Sequence, residues 1–239
     1  MDVIAKKKRR KRFGFVLTLA IVMSIGIFST THQPSPNDDS TANLPPASHS
    51  PAAEILKTLP IKGRAPKTGY TRTQFTNGWN KSGGCDTRNR ILQQDLTNIT
   101  YAKTTGVTVC EVASGTLHDP YTGKTIQFTR GAETSSAIQI DHVVAISDAW
   151  QKGAQQLTYS VRNQLANDPL ELLAVDGPAN QQKGDGDAAT WLPPNKAYRC
   201  AYVARQIAVK KKYSLWVTRS EYDAISTILS SCPQQTLPT

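Results

Sequence analysis

The chain has 239 residues and a formal net charge of +10, from 28 basic and 18 acidic side chains. Seven of the basic residues and one acidic residue lie in the first twelve positions, so the remainder carries 21 and 17, a net charge of only +4. This length allows one ordinary domain with additional segments, and the charge permits a phosphate-binding face without demonstrating one. The four cysteines contain no CxxC pair, which argues against a structural zinc site.

The N-terminus joins a basic run to an apolar one. Seven consecutive basic residues, Lys6 to Arg12, are followed directly by sixteen mostly apolar residues, Phe13 to Phe28. This order is typical of a secretory signal peptide or an uncleaved signal anchor, whereas a nuclear address leaves the apolar run unexplained. Residues 1–28 are therefore predicted to export the chain, which is then secreted or anchored at the cell surface and meets the membrane only through this segment. Cleavage stays open, because no clean Ala-x-Ala follows.

Residues 29–55 are rich in Ser, Thr, Pro and Asn and poor in large apolar side chains. Such a segment cannot bury enough surface to offset the entropy lost when it is ordered. It is predicted to be a disordered linker, with the folded domain over residues 56–239. A short helical run around Ala53 to Leu59 is expected near the start of that domain.

The four cysteines, Cys85, Cys110, Cys200 and Cys232, lie in a chain that carries an export signal. Two disulfides are the expected use of four cysteines in that setting, and their order allows three pairings. We favour Cys85 with Cys110 and Cys200 with Cys232, because each bridge then ties neighbouring elements within its own half of the domain.

A glycine-rich turn at residues 83–84 precedes a predicted amphipathic helix whose apolar stripe contains Ile91, Leu92 and Leu96. The same helix carries Arg88 and Arg90, which are candidates for binding a substrate phosphate. An interpretation as ordinary surface arginines is comparably good.

A small hairpin is predicted next along the chain. Residues Val107 to Val112 and Ile126 to Phe128 read as its strands, with Asp119 to Gly123 as the turn between them. His118 lies beside that turn and is expected to be a polar loop residue.

Two short apolar runs follow, and each is next to polar residues suited to chemistry. Ile138 to Val144 favours a strand and contains Asp141 and His142. Leu170 to Val175 favours a second strand, which a Gly-Pro turn ends before a helix begins near Ala179. Asn180 and Lys183, spaced i and i+3, then lie on one face of that helix.

Two further helices are predicted at the C-terminus. Asn195 is a suitable N-cap for a helix that continues to about Lys211, where Lys210 to Lys212 are expected to be solvated and to complement the helix dipole. Contact of these lysines with nucleic acid is the alternative. Thr218 and Glu221 have the spacing of a capping box for a last helix. The residues expected to be buried in that helix are Tyr222, Ile225, Ile228 and Leu229.

A strand bearing Asp-His, a connection, a second strand and a helix bearing Asn-x-x-Lys form the layout of ββα-metal nucleases. The sequence resembles HNH endonucleases of the His-Me finger type, in particular the secreted bacterial family related to the C-terminal nuclease domain of GmrSD-type modification-dependent restriction enzymes. Three motifs carry the resemblance, which extends from about Tyr70 to Cys232. They are DHVV at 141–144, AVDGPANQQKGDGDAATWLPP at 174–194 and YRCAYVARQIAVK at 198–210.

The resemblance implies a fold and a chemistry. The fold is α+β, with a ββα-metal nuclease core over 138–194 flanked by helices, a small hairpin and two disulfides. Asp141 and Asn180 are expected to hold one divalent metal ion, Mg²⁺ foremost and Mn²⁺ second, with His142 as general base and Lys183 beside the phosphate. The implied reaction is hydrolysis of phosphodiester bonds, in DNA foremost and in RNA second, by a chain expected to be a monomer.

One position departs from the family pattern. Many relatives have an Asn nine residues before the metal-binding Asn, and this chain has Glu171 there. Its carboxylate can accept a hydrogen bond, add a metal ligand or weaken phosphate binding by repulsion. Two alternatives therefore stay open: a catalytically silent relative that binds nucleic acid, and an extracellular interaction module stapled by disulfides.

Overall fold

The computed structural model describes residues 51–102 and 110–238. The predicted signal or anchor segment, and the predicted linker as far as residue 50, lie outside the described residues. Within the described part of the chain, no helix combines the length and apolar character that crossing a bilayer requires.

The first helix, α1, covers Pro51–Thr58, with Ala52, Ala53 and Leu56 buried. The helical run predicted around Ala53 to Leu59 is therefore present, and it begins two residues earlier, within the range assigned to the linker. Proline suits the first turn, since the N–H that it lacks has no partner there.

Two short strands, β1 (Lys81–Ser82) and β2 (Cys85–Asp86), pair antiparallel just before helix α2 (Thr87–Asp95). Gly83 and Gly84 form the turn with φ values of 59° and 78°, which only glycine adopts readily. The side chain of Asp86 caps α2 by accepting the N–H of Asn89 at 2.7 Å. The predicted helix is confirmed with Ile91 and Leu92 buried, although it stops before Leu96.

A three-stranded antiparallel sheet has the order β3 (Leu96–Tyr101), β4 (Val112–His118), β5 (Thr125–Thr129). The predicted hairpin exists, but its first strand begins at Val112, where the prediction had it end. Residues 103–109 lie outside the described part. The strand was misplaced because its middle, Ala-Ser-Gly-Thr, lacks the apolar alternation of a typical strand. His118 is the last residue of β4 and not part of the loop.

The predicted strand–strand–helix unit is present. β6 (Ile138–His142) pairs antiparallel with β7 (Leu172–Asp176), so that His142 lies opposite Leu172. Helix α5 (Gly177–Lys183) follows at once, capped by the side chain of Asp176 on the N–H of Ala179 at 2.8 Å. A β-carbon on Gly177 would lie 2.2 Å from the carbonyl oxygen of Ser136, so only glycine fits where α5 leaves the sheet.

Both faces of the β6–β7 ribbon are buried. Alternate residues of a strand point to opposite faces. Leu172 and Ala174 accordingly join a hydrophobic cluster with α2 and the three-stranded sheet, whereas Leu173 and Val175 join a second cluster with α1. The ribbon is thereby held between two cores, which gives its last residues a fixed position.

Helices α3 (Ile146–Gln151) and α4 (Tyr159–Ala166) connect β6 to β7, and α6 (Arg199–Lys212) and α7 (Arg219–Ser230) close the domain. Asn195 caps a 3₁₀ turn, Lys196–Tyr198, that leads into α6, and the predicted capping box of α7 is present. Both favoured disulfides are confirmed, Cys85 with Cys110 and Cys200 with Cys232. The second bridge ties α6 to the end of α7.

Buried charges join the helical half of the domain. Lys152 and Lys210 are both fully buried, and each contacts Glu221 of α7, at 2.7 and 3.0 Å. Lys152 also lies 2.9 Å from Asp148 and 2.8 Å from Asp187. The expectation of a solvated Lys210 was therefore wrong, because the packing of α6 against α7 and α3 brings its ammonium to the carboxylates of Glu221 and Asp148.

Candidate active site

A polar cavity of about 430 Å³ opens where β6 ends and α5 passes beside it. Four of the residues singled out in the sequence line it: Arg88, Asp141, His142 and Asn180. The remaining lining residues come largely from the segment before β1 and from the ends of β6 and α5. They are Tyr70, Arg72, Trp79, Gln139, Ile140, Ala145, Ile146, Gln181, Gly184 and Asp185.

His142 is held in one tautomer. Its Nε2 lies 3.0 Å from the carbonyl oxygen of Ala166, and because a carbonyl oxygen only accepts, Nε2 carries the hydrogen. Ala166 is the last residue of α4, where helix carbonyls lack partners within the helix. The other ring nitrogen, Nδ1, is left as the basic atom of a side chain that lines the cavity.

The environment keeps the His142 imidazole neutral. Burial, followed by the charge of Arg72, lowers the pKa of His142 to about 3, and the bond to Ala166 offsets only part of this. The indole of Trp79 lies parallel to the imidazole, with 9° between the planes and 6.0 Å between the centroids. A neutral ring in a fixed orientation is the form that can accept a proton near neutral pH.

Asp141 is fixed through both of its carboxylate oxygens. Its Oδ1 accepts from the Lys183 ammonium at 2.9 Å, and its Oδ2 accepts from the Tyr121 hydroxyl. Lys183 also donates to the carbonyl oxygen of His142 at 2.8 Å and is buried away from the cavity. Lys183 was predicted to lie beside a phosphate in the site. Its ammonium is instead held by the buried carboxylate of Asp141. Lys183 positions Asp141 and the end of β6.

Asn180 projects from α5 into the same cavity as Asp141. Its amide nitrogen donates to Oε1 of Gln139 at 2.9 Å, which fixes the orientation of the amide. Its amide oxygen accepts no hydrogen bond from the described residues, so it remains able to bind a cation. The i, i+3 spacing of Asn180 and Lys183 thus places one side chain at the cavity and the other beneath Asp141.

The donor set suits a hard divalent cation. Asp141 and Asn180 both offer oxygen, and each carboxylate oxygen of Asp141 keeps a lone pair beyond its single protein donor. Mg²⁺ binds through one or two protein groups while keeping several waters. Among residues 51–102 and 110–238, no group of three or more His, Cys, Asp or Glu side chains is arranged to hold a metal ion, so an ion at this cavity would rest on Asp141, Asn180, water and substrate.

Glu171 is fully buried and does not line the cavity. Its Oε2 accepts the N–H of Val144 at 3.1 Å, and its backbone carbonyl accepts the N–H of Val143 at 2.9 Å. Burial raises the pKa of Glu171 well above its ordinary value. Of the three roles open in the sequence, the hydrogen-bonding role fits these contacts, because the side chain braces the backbone just after His142.

The two candidate arginines of α2 lie in different places. Arg88 lines the cavity and donates to the carbonyl oxygens of Ser135 and Ile138 at 3.3 and 3.1 Å. Arg90 points away from it and donates to the carbonyl oxygen of Cys85 at 3.0 Å. Positions i and i+2 of a helix do not share a face, which explains the separation.

Several site residues carried no signal in the sequence. Tyr70, Arg72 and Trp79 come from a segment that precedes the motifs, and Tyr121 comes from the hairpin turn. Arg72 supplies a positive charge near His142, and the fully buried Tyr121 supplies a donor to Asp141. Only tertiary packing brings these residues to the ββα unit, so local spacing does not indicate them.

The fold and the cavity define an α+β protein with two disulfides in which a strand–strand–helix unit presents an Asp-His pair and an Asn to one polar site. The chain belongs to the family of GmrSD restriction endonucleases, C-terminal domain, whose model matches residues 86–228, more than half of the chain. The predicted relation to the C-terminal domain of GmrSD-type restriction enzymes is thereby confirmed. Arg72 and Trp79 lie before the matched region.

An uncharacterized secreted protein of the fungus Arthroderma benhamiae is 35% identical over 216 residues. The alignment covers 90% of this chain and 98% of the relative. Similar chains are therefore not confined to bacteria, where the motifs had placed the family. No solved structure matches the chain.

Proposed function

We propose that this protein is a metal-dependent endonuclease that hydrolyses phosphodiester bonds of nucleic acid, with DNA as the preferred substrate. The observation that carries the proposal is the state of His142: a neutral imidazole, held through Nε2, lines the same cavity as Asp141 and Asn180. A base, a pair of oxygen ligands and cationic side chains in one cavity match the requirements of phosphodiester hydrolysis. Family membership supports the same reaction class.

In this proposal, Nδ1 of His142 takes a proton from a water molecule. The water oxygen attacks the phosphorus, the bond to the 3′ oxygen breaks, and that oxygen takes its proton from solvent, which leaves a 5′-phosphate. Asp141 and Asn180 would hold Mg²⁺ or Mn²⁺, which when bound neutralises charge on the phosphate and the leaving oxygen. Arg72 and Arg88 add positive charge to the cavity wall, and Lys183 keeps Asp141 in place.

We also propose that the protein acts outside the cell, secreted or anchored at the cell surface. Two disulfides persist best in an oxidising compartment. The fungal relative is named a secreted protein. The basic and apolar N-terminal runs supply an export signal of the expected kind.

Cleavage of supercoiled plasmid by the disulfide-bonded protein tests the proposed activity. We expect nicking with Mg²⁺ or Mn²⁺, none with chelator, and a loss of about 10² to 10⁴ in rate for His142→Ala. His118→Ala is the matched control, because His118 is an exposed histidine outside the cavity. Metal-independent nicking, or full activity of His142→Ala, would contradict the proposal.

The second candidate is a silent relative that binds nucleic acid without cutting it. Glu171 in place of the family's Asn, and the capture of Asp141 by Lys183, favour it. Binding that weakens steeply with salt in a protein that leaves plasmid intact under every metal would select this candidate. Absence of any nucleic-acid binding would instead select an extracellular interaction module.

A further inference from the structure

A second polar groove, of about 470 Å³, has no role in the proposed chemistry. Three cationic side chains line it, Lys81, Arg90 and Lys212, against one carboxylate, Asp168. Its other side chains include Asn80, Ser82, Thr87, Gln164 and Asn167, which are polar and uncharged. A groove of this composition offers hydrogen-bond donors and a formal charge of +2.

Among the described residues that line the groove, Asp168 supplies the one carboxylate, and it is already engaged within the protein. Asp168 accepts from the Lys212 ammonium and from the Tyr213 hydroxyl, each at 2.6 Å, and from the N–H of Leu170 at 3.0 Å. Arg90 uses one nitrogen on the carbonyl oxygen of Cys85, which leaves further guanidinium donors for a ligand. The ammonium of the exposed Lys81 makes no hydrogen bond or ion pair with the described residues. Positive charge in the groove is therefore left uncompensated.

The groove and the candidate active site take neighbouring residues from the same three segments. Trp79 lines the cavity, and the next residue, Asn80, lines the groove. On α2, Arg88 lines the cavity and Arg90 lines the groove. At the end of α4, the carbonyl of Ala166 holds His142, and the next residue, Asn167, lines the groove.

Hydrogen bonds join the segments that line the groove. The side chain of Asn80 donates to Oδ1 of Asn163 at 2.6 Å, and its backbone N–H donates to Oδ1 of Asn167 at 2.9 Å. Thr87 donates to the Asn80 carbonyl at 3.1 Å. These hydrogen bonds therefore hold the groove in a preformed shape.

We propose that this groove binds the sugar-phosphate backbone of the nucleic acid next to the bond that is cut, an inference that rests on the proposed function. Lys81, Arg90 and Lys212 contact phosphates that flank the one at His142. The contacts go to phosphate and not to base edges, so they fix the position of the strand without reading its sequence. The protein therefore takes a polynucleotide in preference to a mononucleotide diester.

The test measures binding apart from cleavage. Fluorescence anisotropy of a labelled DNA duplex with chelator present gives the dissociation constant at several salt concentrations. Each lost phosphate contact lowers the slope of log affinity against log salt by about 0.9 for duplex DNA. For the triple variant Lys81→Gln, Arg90→Gln, Lys212→Gln we expect the slope to fall by about 1 to 3 and the dissociation constant to rise at least about tenfold at low salt.

A matched triple variant controls for the general loss of positive charge. Lys57→Gln, Lys62→Gln, Arg219→Gln removes the same charge from exposed positions outside both cavities. The single variant Lys81→Gln controls for folding, because its ammonium has no partner in the described structure to lose, and we expect it to lower the slope by about 0.9. A salt slope and dissociation constant equal to those of the control triple would overturn the inference. A parent that binds DNA without cutting it would overturn the proposed activity alone.

Discussion

At the scale of single residues, Glu171 shows how an apparent departure from a family pattern can preserve its physical role. A buried carboxyl group that stays protonated has one O–H donor and one acceptor oxygen, the same pair that an Asn amide offers. Its Oε2 accepts from the N–H of Val144, whereas Oε1 has no hydrogen-bond partner among the described residues. Burial raises the pKa of Glu171, which favours the uncharged form, and the side chain does not line the cavity, so we expect it not to repel a phosphate there.

Glu171→Gln tests this state through the pH dependence of stability. The folded protein holds the Glu171 proton more tightly than the unfolded chain, because burial raises its pKa in the folded state. The stability that this proton contributes is complete below the unfolded pKa, near 4.5, and is lost as pH rises toward the folded pKa. The Gln side chain of the variant has no proton to lose, so only the parent is destabilised between these two pKa values. We therefore expect the unfolding free energy of Glu171→Gln minus that of the parent to increase by up to about 1.4 kcal/mol per pH unit over this range.

Urea unfolding at pH 5, 6 and 7 gives these free energies, and Glu54→Gln is the control because Glu54 is exposed. We also expect Glu171→Gln to retain plasmid cleavage within a few-fold. A parallel pH dependence in parent and variant would show that Glu171 is ionised in the folded protein.

At the scale of elements, the hairpin turn after β4 contributes to the site through Tyr121. This fully buried residue packs against Trp191 and Tyr202 with ring centroids 5.0 and 5.7 Å apart, and its hydroxyl donates to Asp141. Removal of a hydrogen-bond partner that orients a metal ligand typically lowers metal affinity or activity by about 10- to 100-fold. We expect Tyr121→Phe to raise the Mg²⁺ concentration needed for half-maximal cleavage by about that factor.

Tyr202→Phe is the matched control for Tyr121→Phe. Tyr202 is equally buried in the same aromatic cluster, but its hydroxyl meets Gln206 at 3.0 Å and not Asp141. Equal changes in the Mg²⁺ requirement of the two variants would show that packing, and not the bond to Asp141, is responsible.

The sequence predicts the elements unevenly, for physical reasons. The β6–β7–α5 unit was found because its strands are buried on both faces and therefore read as apolar runs next to the motif residues. Strand β3, Leu-Thr-Asn-Ile-Thr-Tyr, was missed because mostly exposed polar residues hide its period. The turn containing Tyr121 was predicted, but its contact with Asp141 depends on packing between segments that are distant in sequence.

At the scale of the whole molecule, an ionic network that is buried except for Arg64 joins the parts of the chain around the site. It contains three cations and three carboxylates, so its formal charge is zero. Asp148 lies on α3, six residues after His142, and Asp187 lies four residues after Lys183. The network therefore fixes the two chain segments that leave the ββα unit, one after β6 and one after α5. Its members are Arg64, Asp148, Lys152, Asp187, Lys210 and Glu221.

Lys152 holds the centre of this network. Burial alone would lower its pKa, but Glu221, Asp148 and Asp187 outweigh that effect and raise the pKa. Lys152→Met keeps the length of the side chain and removes the charge, which leaves three carboxylates close together in the interior. Breaking a buried ion pair by removing one partner costs about 3 to 5 kcal/mol, so we expect the unfolding free energy of Lys152→Met to fall by about that amount.

Lys57→Met gives the matched comparison for Lys152→Met in urea unfolding. Lys57 contacts Glu54 at 2.7 Å, as close as Lys152 lies to Glu221, but both partners are about half exposed. Solvent screens an exposed pair, so we expect Lys57→Met to change the unfolding free energy by less than about 1 kcal/mol. Similar losses in the two variants would mean that burial does not set the strength of the network, and the anchoring of the site would then rest on the hydrophobic clusters alone.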